Sequence, residues 1–447
     1  FYEEHAPLTA RAGLGENGVF HDVVYNPTAI TLNFPGYIVG LDKARHHAIN
    51  EGARYPAFDT SQDTGGKHGL RDVKFRMSMD PKAHYVSHVV KNHGKSFGQG
   101  NCVLYTIFTG WGLESNPREE MKYRDAGETP SVPCSEASKG RGKTALRDSF
   151  DAIRSFKEDL RQELESKKTG EAYSHIVVIS MGWNTPQLEA IQNFNALGTH
   201  LKAASGSAHY RPLVIGITWP SVWSFQWLDP AIKLASYTAK AHDADEVGTI
   251  WISEIIDAVK AVAPSHTKLI AMGHSFGARA MFSAVCGESV WASRPQGRKI
   301  DVLFGWQAAF SVRRLTRDGA GDGFAYEQGC LDRAETIVLT SSIHDEAVDS
   351  AVWADMAGGH DQWTAVCSSG KIKLSHTPVK TKPACLNAEQ VKSGTVEALA
   401  IRRRTINYVD ASNIVIYNQP NTGGGAHSDI YRAVHGRLAW RALVAQD

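Results

Sequence analysis

From Thr144 onward, apolar positions follow two alternating periods along the chain. The segment TALRDSFDAIRSFKEDLRQELESKK carries apolar residues at helical spacing, and HIVVIS (175–180) after it is a short continuous apolar run. Runs of this second kind are typical of strands buried in a parallel sheet. The remaining predicted strands are PLVIGIT, TKLIAMG, KIDVLFGW, ETIVLTSS and SNIVIYNQ.

Helical patterns separate these runs. They cover about 187–201 and 249–262, then GARAMFSAV, and finally DIYRAVHGRLAWRALV. Strands that alternate with helices predict an α/β fold, with a mostly parallel sheet and helices on both faces.

Residues 1–140 differ in composition and periodicity: they are rich in Gly, His and Asp and contain few periodic segments. NCVLYTIFTGW (101–111) is the best strand candidate there. We therefore divide the chain into an N-terminal extension or accessory region of unknown role, 1–140, and an α/β domain, 141–447.

Composition changes this picture little. Hydrophobic residues make up 42% of the 447 positions and charged residues 21%, with 48 basic against 47 acidic side chains. A balanced charge predicts neither nucleic acid nor an anionic membrane as a partner. No apolar run approaches the ~18 residues of a membrane-spanning helix. The chain opens on Phe1 rather than Met, as expected after removal of a leader or trimming.

The six cysteines include no CxxC pair, so neither a zinc ribbon nor a redox motif is predicted. Cys330, Cys367 and Cys385 lie in loop-like sequence, which predicts at least one disulfide among them and a secreted or periplasmic location. The alternative is a cytosolic protein with reduced, buried cysteines. Cys286 follows an apolar helical stretch and is expected to be a core residue.

The stretch GHSFG (273–277) lies between a predicted strand and a predicted helix and fits the pattern G-x-S-x-G. That context is typical of a nucleophile elbow, in which a sharp turn exposes the serine hydroxyl above the end of a strand. Ser275 is therefore the candidate nucleophile.

A serine nucleophile needs a base and an acid that orients the base. Asp345 follows the strand ETIVLTSS, with Glu346 and Asp349 as nearby alternatives and Asp410 as the next candidate. His427 follows a glycine-rich loop, and Ser428 after it is the expected N-cap of the last helix.

Two backbone N–H groups must also face the developing oxyanion. We expect one from Phe276, directly after the nucleophile, and one from Trp183 in the loop after HIVVIS. A cluster of aromatic residues either lines an apolar acyl or aryl pocket or packs in the core. Its members are Trp219, Trp223, Phe225 and Trp227.

Five blocks, SMGWN, TWPSVW, GHSFGA, HDEAVDS and AHSDIY, occur in this order along the chain. Together they resemble the α/β-hydrolase superfamily, and most closely a little-characterised group of bacterial hydrolases. Members of that group carry V-H-G-[FW]-N, W-P-S, G-H-S-[MF]-G, an Asp-x-Ala near a strand end and a late His-Ser-Asp/Tyr. Met181 stands where the group usually has His. The resemblance runs from about Tyr173 to the end of the chain and implies an α/β-hydrolase catalytic domain with Ser275, Asp345 and His427 as its triad.

These residues predict a serine hydrolase that cleaves a small-molecule or lipid-like carboxylic ester through an acyl-enzyme, with no cofactor or metal. Thioesters and amides or peptides are alternative substrates for the same triad, and a non-catalytic binding protein on a hydrolase scaffold is an alternative of another class. The long separation of Asp345 from His427 predicts an insertion at about 353–404.

Three weaker patterns favour ordinary structure. ASKGRGKT (137–144) loosely fits a nucleotide-binding P-loop, but GETPSVPCSE before it does not read as the buried strand that a P-loop follows. His84 and His88 would share one face if HYVSHVVKNH were helical, without a carboxylate or cysteine pattern to complete a metal site. Asp318 and Asp322 lie in a glycine-rich loop with too few oxygen ligands for calcium.

Overall fold

Within the residues that the computed structural model describes, twelve strands form one sheet. The structure describes residues 19–20, 32–44, 84–94, 101–106, 133–139, 145–168, 170–182, 185, 187–206, 209–219, 241–287, 297–316, 326, 330–349, 355–374, 382–418 and 424–445. The strands, in chain order, are β1 (Val19–Phe20), β2 (Pro35–Ala44), β3 (His84–His93), β4 (Cys102–Thr106), β5 (Pro133–Lys139), β6 (His175–Ser180), β7 (Pro212–Thr218), β8 (Lys268–His274), β9 (Ile300–Trp306), β10 (Ala334–Ser341), β11 (Ala384–Leu386) and β12 (Ile406–Asp410).

The sheet is mostly parallel. Its order is β11-β12-β10-β9-β8-β6-β7-β2-β3-β4-β5, with β1 paired to β2 beside this path. The pairings of β1 with β2, β2 with β3 and β3 with β4 are antiparallel, and all the others are parallel. The predicted α/β class with a mostly parallel sheet is therefore confirmed.

The helices flank this sheet. They are α1 (Ala145–Glu165), α2 (Gln187–Ser205), α3 (Ser253–Val262), α4 (Phe276–Cys286), α5 (Cys330–Arg333), α6 (Glu346–Asp349), α7 (His360–Trp363) and α8 (Ala433–Val444). Two π-helical segments, Val247–Ile252 and Thr364–Ser368, precede α3 and follow α7. Two short 3₁₀ helices cover Val312–Leu315 and Val396–Ala398.

The strand order predicts a crevice at one edge of the sheet. The chain steps from β6 outward to β7 and then returns past β6 to β8. Because such crossovers are right-handed, this reversal puts α2 and α3 on opposite faces. A crevice between the carboxyl ends of β6 and β8 follows, which is where open α/β sheets bind ligands.

Most predicted elements of residues 144–447 exist, and the last two are displaced. Residues 412–418 of the run SNIVIYNQ form turns and coil, and the strand beside β10 is instead Ile406–Asp410. The last helix begins at Ala433, with Arg432 as its N-cap, so the predicted cap at Ser428 is also wrong.

The first 140 residues are less irregular than their composition indicates, since β2, β3, β4 and β5 all come from them. HYVSHVVKNH is the buried strand β3, so the helical alternative for His84 and His88 is wrong. Val86, Val89 and Val90 within it favour a pleated, buried surface over a helix.

Strand β5 covers Pro133–Lys139, so it overlaps both the end of GETPSVPCSE and the start of ASKGRGKT, and its Cys134 is only partly buried. Pro133 is the first residue of a strand that, among the described strands, pairs with β4 alone, and the start of such a strand tolerates proline. A disulfide from Cys134 to Cys102 ties β5 to β4. The first residues of the P-loop pattern thus lie in a strand rather than in a loop.

All six cysteines form disulfides: Cys102–Cys134, Cys286–Cys330 and Cys367–Cys385. The predicted disulfide among the late cysteines is confirmed by Cys367–Cys385. Cys286 is buried as expected, but it is also bonded to Cys330, which the core interpretation missed. Three disulfides fit a secreted or periplasmic protein. Among the described residues, no helix has the length and apolar character needed to cross a bilayer.

Candidate active site

Ser275 occupies a sharp turn between β8 and α4. Its backbone has φ 56° and ψ −125°, a left-handed conformation that residues with a Cβ rarely adopt. The Ser275 N–H donates to the carbonyl of Trp306, 3.0 Å away, and its own carbonyl accepts from the N–H of Ala309 at 3.2 Å. This turn is therefore held from the neighbouring strand β9, which offsets a strain of about 1–3 kcal/mol.

Glycines let the turn fold this tightly. A Cβ on Gly273 would lie 2.4 Å from the carbonyl oxygen of Gly277, and a Cβ on Gly277 would lie 2.4 Å from that of Ser180. The end of β6, the turn and the start of α4 therefore pack backbone against backbone. The two glycines of GHSFG have a steric role that alanine could not fill.

Asp345 and His427 form a hydrogen-bonded pair at the same edge of the sheet. Asp345 follows β10 and is completely buried. Nδ1 of His427 lies 2.9 Å from Oδ1 and 2.8 Å from Oδ2 of this carboxylate. Because a carboxylate only accepts hydrogen bonds, Nδ1 carries the proton and Nε2 of His427 is left as an acceptor.

The His427 loop packs against the Asp345 turn through its backbone. The N–H of Ala426 donates to the carbonyl of His344 at 2.7 Å. Gly425 has φ +57°, and a Cβ there would lie 2.4 Å from the same carbonyl. A glycine before His427 is thus required for the loop to approach the acid.

His274, which directly precedes Ser275, connects the turn at Ser275 to the His427 loop. Nε2 of His274 donates to the backbone carbonyl of His427 at 2.9 Å, and the two rings lie 4.7 Å apart between centroids. Burial, together with the neighbouring His427, lowers the pKa of His274 to about 3 and keeps its ring neutral. Among the described residues, no hydrogen bond joins Ser275 Oγ to His427. Catalytic contacts of this kind often close only in the complex with substrate.

Gln307 and Thr340 complete the surroundings of the Asp345 carboxylate, and no sequence motif marks either residue. Nε2 of Gln307 donates to Oδ2 of Asp345 at 2.9 Å, and the Thr340 hydroxyl donates to Oε1 of Gln307 at 2.8 Å. Gln307 directly follows β9 at the carboxyl edge of the sheet, where functional groups collect, and that position was the available signal.

Asp410, the reserve candidate for the acid, has a different histidine partner. Its Oδ2 lies 3.2 Å from Nε2 of His360, and its Oδ1 accepts from the Ser412 hydroxyl at 2.5 Å. Burial raises the pKa of Asp410, but these hydrogen bonds outweigh burial and the net shift is downward. Glu346 is exposed at the start of α6.

The oxyanion candidates are only partly described. Phe276 begins α4 directly after Ser275, and Trp183 lies outside the described residues. The preceding residue, Gly182, is described: a Cβ there would lie 2.5 Å from Cβ and 3.1 Å from Oγ of Ser275. The loop after β6 therefore passes directly over Ser275.

Of the aromatic cluster, Trp219 is described and buried. Its indole N–H donates to the carbonyl of Met181 at 3.1 Å, so it supports the loop after β6. Trp223, Phe225 and Trp227 lie outside the described residues, as do Asp318 and Asp322. His84 contacts Glu246 at 3.1 Å, and His88 contacts Gln187 at 2.8 Å. Within the described ranges, no group of three or more His, Cys, Asp or Glu side chains could hold a metal ion.

Comparisons of the chain with protein-family models, with curated proteins and with solved structures find no match. Function is therefore inferred from the chemistry of the site itself. That site combines a serine in a constrained turn, an imidazole aligned by a buried carboxylate, and closely packed backbone above the hydroxyl.

Proposed function

We propose that this protein is a serine hydrolase of the α/β-hydrolase type that cleaves carboxylic esters through an acyl-enzyme. One observation carries the proposal. Ser275 stands in a left-handed turn where β8 meets α4, and the hydrogen-bonded pair of Asp345 and His427 lies at the same sheet edge.

The chain order and the strand order support this proposal. Nucleophile, acid and base follow one another as Ser, Asp and His, which is the order of α/β-hydrolases. They follow β8, β10 and β12, and β9 separates the first two of these strands in the sheet. Ser275 and Asp345 therefore come from the carboxyl ends of parallel strands, and His427 comes from the longer segment after β12.

In the proposed reaction, Nε2 of His427 removes the proton of Ser275 as Oγ attacks the ester carbonyl. The carbonyl oxygen becomes an oxyanion, which the backbone N–H of Phe276 and the loop after β6 would stabilise. His427 then returns the proton to the leaving alcohol, and an acyl-Ser275 ester forms. Water, activated by the same imidazole, releases the acid.

A fluorophosphonate probe tests the nucleophile directly. We expect it to add to Ser275 in the wild-type protein and to leave Ser275→Ala unlabelled, as read by mass spectrometry of the peptide that contains residue 275. Ser341→Ala is a matched control, because this buried hydroxyl near the same sheet edge has no hydrogen-bond partner among the described residues. It should label like the wild type.

Turnover of an ester, a thioester and an anilide with the same acyl group tests the substrate class. We expect the ester to be hydrolysed with the highest kcat/KM. Preferred turnover of the thioester or anilide would replace the ester proposal. A wild-type protein that neither reacts with the probe nor turns over any of the three would contradict the hydrolase proposal and favour a binding protein.

A further inference from the structure

We propose that Gln307 is a positioning residue that holds the Asp345 carboxylate in the plane in which it aligns His427, with Thr340 fixing the direction of the Gln307 amide. This inference rests on the proposed function, since it assigns a role within the same site.

The hydrogen bonds determine which way the Gln307 amide points. The Gln307 backbone N–H donates to Oγ1 of Thr340 at 3.0 Å, so that hydroxyl uses its own proton toward Oε1 of Gln307, 2.8 Å away. The other end of the amide lies 2.9 Å from Oδ2 of Asp345. A carboxylate oxygen would repel Oε1, so the NH₂ group must be the one that faces it.

Each oxygen of the Asp345 carboxylate accepts a hydrogen bond from a donor other than His427. Oδ1 accepts from the Val348 N–H at 3.2 Å and faces Nδ1 of His427 at 2.9 Å. Oδ2 accepts from Gln307 at 2.9 Å and faces the same Nδ1 at 2.8 Å. Each oxygen therefore has one fixed donor besides the imidazole. Rotation of the carboxylate about its Cβ–Cγ bond would break the hydrogen bonds from Val348 and Gln307. These two donors therefore fix the plane of the carboxylate, and that plane sets the orientation of the His427 ring.

The backbone conformation of Gln307 supports this positioning role. Gln307 has φ 42°, a left-handed conformation that glycine and asparagine adopt far more readily than glutamine. Close packing leaves it no room to relax, because a Cβ on Gly358 would lie 2.6 Å from the carbonyl carbon of Gln307. Gln307 is fully buried and contacts Asp345. Backbone strain at such a position is typical of residues with a functional role.

Loss of the Gln307 amide should slow chemistry more than it weakens substrate binding. Gln307 touches neither substrate nor nucleophile in this proposal. Its effect passes through Asp345 to the imidazolium that forms in the transition state. A hydrogen bond to a charged group corresponds to about a 10- to 100-fold change in kcat, with KM nearly unchanged.

The experiment uses two pairs of variants in the full chain. Gln307→Leu removes the donor, and Gln307→Glu keeps the shape but places an acceptor against Oδ2 of Asp345. Thr340→Val removes the hydroxyl that orients the amide, and Thr340→Ser retains it. Thr336→Val is the control, because it changes the same residue type four positions earlier on the same face of β10.

Two readouts separate positioning from stability. The first is kcat and KM for the ester, and the second is the far-downfield NMR resonance of the Nδ1 proton shared by His427 and Asp345. We expect kcat to fall in Gln307→Leu, further in Gln307→Glu, and in Thr340→Val, with Thr340→Ser and Thr336→Val close to the wild type. The resonance should shift or broaden in the same three impaired variants and disappear in Asp345→Asn.

An active wild type whose kcat and downfield resonance are unchanged in Gln307→Leu overturns the inference and leaves the hydrolase proposal standing. A wild type that the fluorophosphonate does not label overturns the hydrolase proposal, and the resonance alone then decides whether Gln307 holds the Asp345–His427 pair. If Gln307→Leu does not fold, Thr340→Val decides, and an unchanged resonance in that variant contradicts the inference.

Discussion

At the scale of single residues, the carboxylates near the candidate nucleophile differ in what their oxygens accept. Asp345 is buried and faces His427, whereas Asp410 faces His360 and the Ser412 hydroxyl. Glu346 is exposed beside Asp345. The hydrogen-bond partner, rather than the position along the chain, therefore distinguishes Asp345 from Asp410 and Glu346 as the acid of the proposed triad.

We predict that Asp345→Asn lowers kcat by roughly four orders of magnitude, because the amide no longer holds His427 in the required tautomer. Steady-state ester hydrolysis on folded protein measures this effect. Glu346→Gln and Asp410→Asn are the matched controls and should stay within a fewfold of the wild type. A loss confined to Asp410→Asn would move the acid to β12 and to its partner His360.

Gly182→Ala should lower the rate of ester hydrolysis by on the order of 100-fold while most of the stability remains. The added methyl group would lie 2.5 Å from Cβ of Ser275, closer than real contacts allow, so the loop after β6 must move away from the nucleophile. A displacement of about 1 Å can cost on the order of 100-fold in rate. Turnover and a thermal unfolding curve measure the two effects, and a fully active Gly182→Ala would contradict the described loop position. Gly394→Ala, at a site where a Cβ meets nothing within 4 Å, is the control.

At the scale of elements, apolar runs predicted the central strands because those strands are buried on both faces. They failed where a polar residue was buried. The strand Ile406–Asp410 contains Asn407, whose amide donates to the carbonyls of Ile337 and Arg402 at 3.1 and 2.9 Å. A pattern of apolar residues cannot register a polar side chain that the fold satisfies.

For the candidate site, too, the sequence indicates the residues that carry local signals and misses those that depend on tertiary contacts. The prediction of Ser275 uses a motif, that of Asp345 a strand end and that of His427 a glycine-rich loop, and all three are local signals. Gln307 is not predicted in this way, because its role depends on β9 and β10 being neighbours in the sheet. The start of α8 at Ala433 is also a tertiary effect: Asp429 accepts from the N–H groups of Ile416 and Tyr417 and thereby holds the chain before the helix in a loop.

The disulfides join elements that lie far apart in the chain, and we predict that they stabilise the fold markedly. Cys286–Cys330 closes a loop of 44 residues between the end of α4 and α5, and Cys367–Cys385 closes one of 18. The chain-entropy model gives about 4 and about 3 kcal/mol respectively, as upper estimates. Denaturant unfolding of the double variants Cys286→Ala/Cys330→Ala and Cys367→Ala/Cys385→Ala measures both.

Thiol titration of the denatured, unreduced chain is the accompanying check, and it should detect no free thiol. Six free thiols would contradict the disulfides. Equal stability of the first double variant and the wild type would show that α4 and α5 are held by packing alone.

At the scale of the whole molecule, two buried histidines make stability depend on pH. Burial is the main cause that lowers the pKa of His274 to about 3 and that of His435 to about 4, from 6.5. In His435, Nε2 donates to the carbonyl of Ile414 and Nδ1 accepts from the Arg432 N–H. Protonation of Nδ1 would break the second of these hydrogen bonds.

Because the unfolded chain binds protons that the folded chain excludes, these groups favour folding above pH 6.5. Their contribution falls as the pH drops toward 4 and 3, by about 1.4 kcal/mol per pH unit for each histidine. The free energy of unfolding measured from pH 7 to 4.5 tests this. His435→Gln should flatten the decline, and exposed His266→Gln should leave it unchanged. An unaltered slope in His435→Gln would contradict the role of His435.

Strand β7 has a consequence for any attempt to divide this chain. All seven of its residues are buried, and it pairs on one side with β6 and on the other with β2, which comes from the first 140 residues. In a fragment of 141–447, β7 would keep its pairing with β6 but lose its pairing with β2. Its free backbone groups would then lie along an apolar edge, and strands from other molecules pair with such edges. Such a fragment should aggregate on expression, and supplying 1–140 as a separate chain should return it to the soluble fraction.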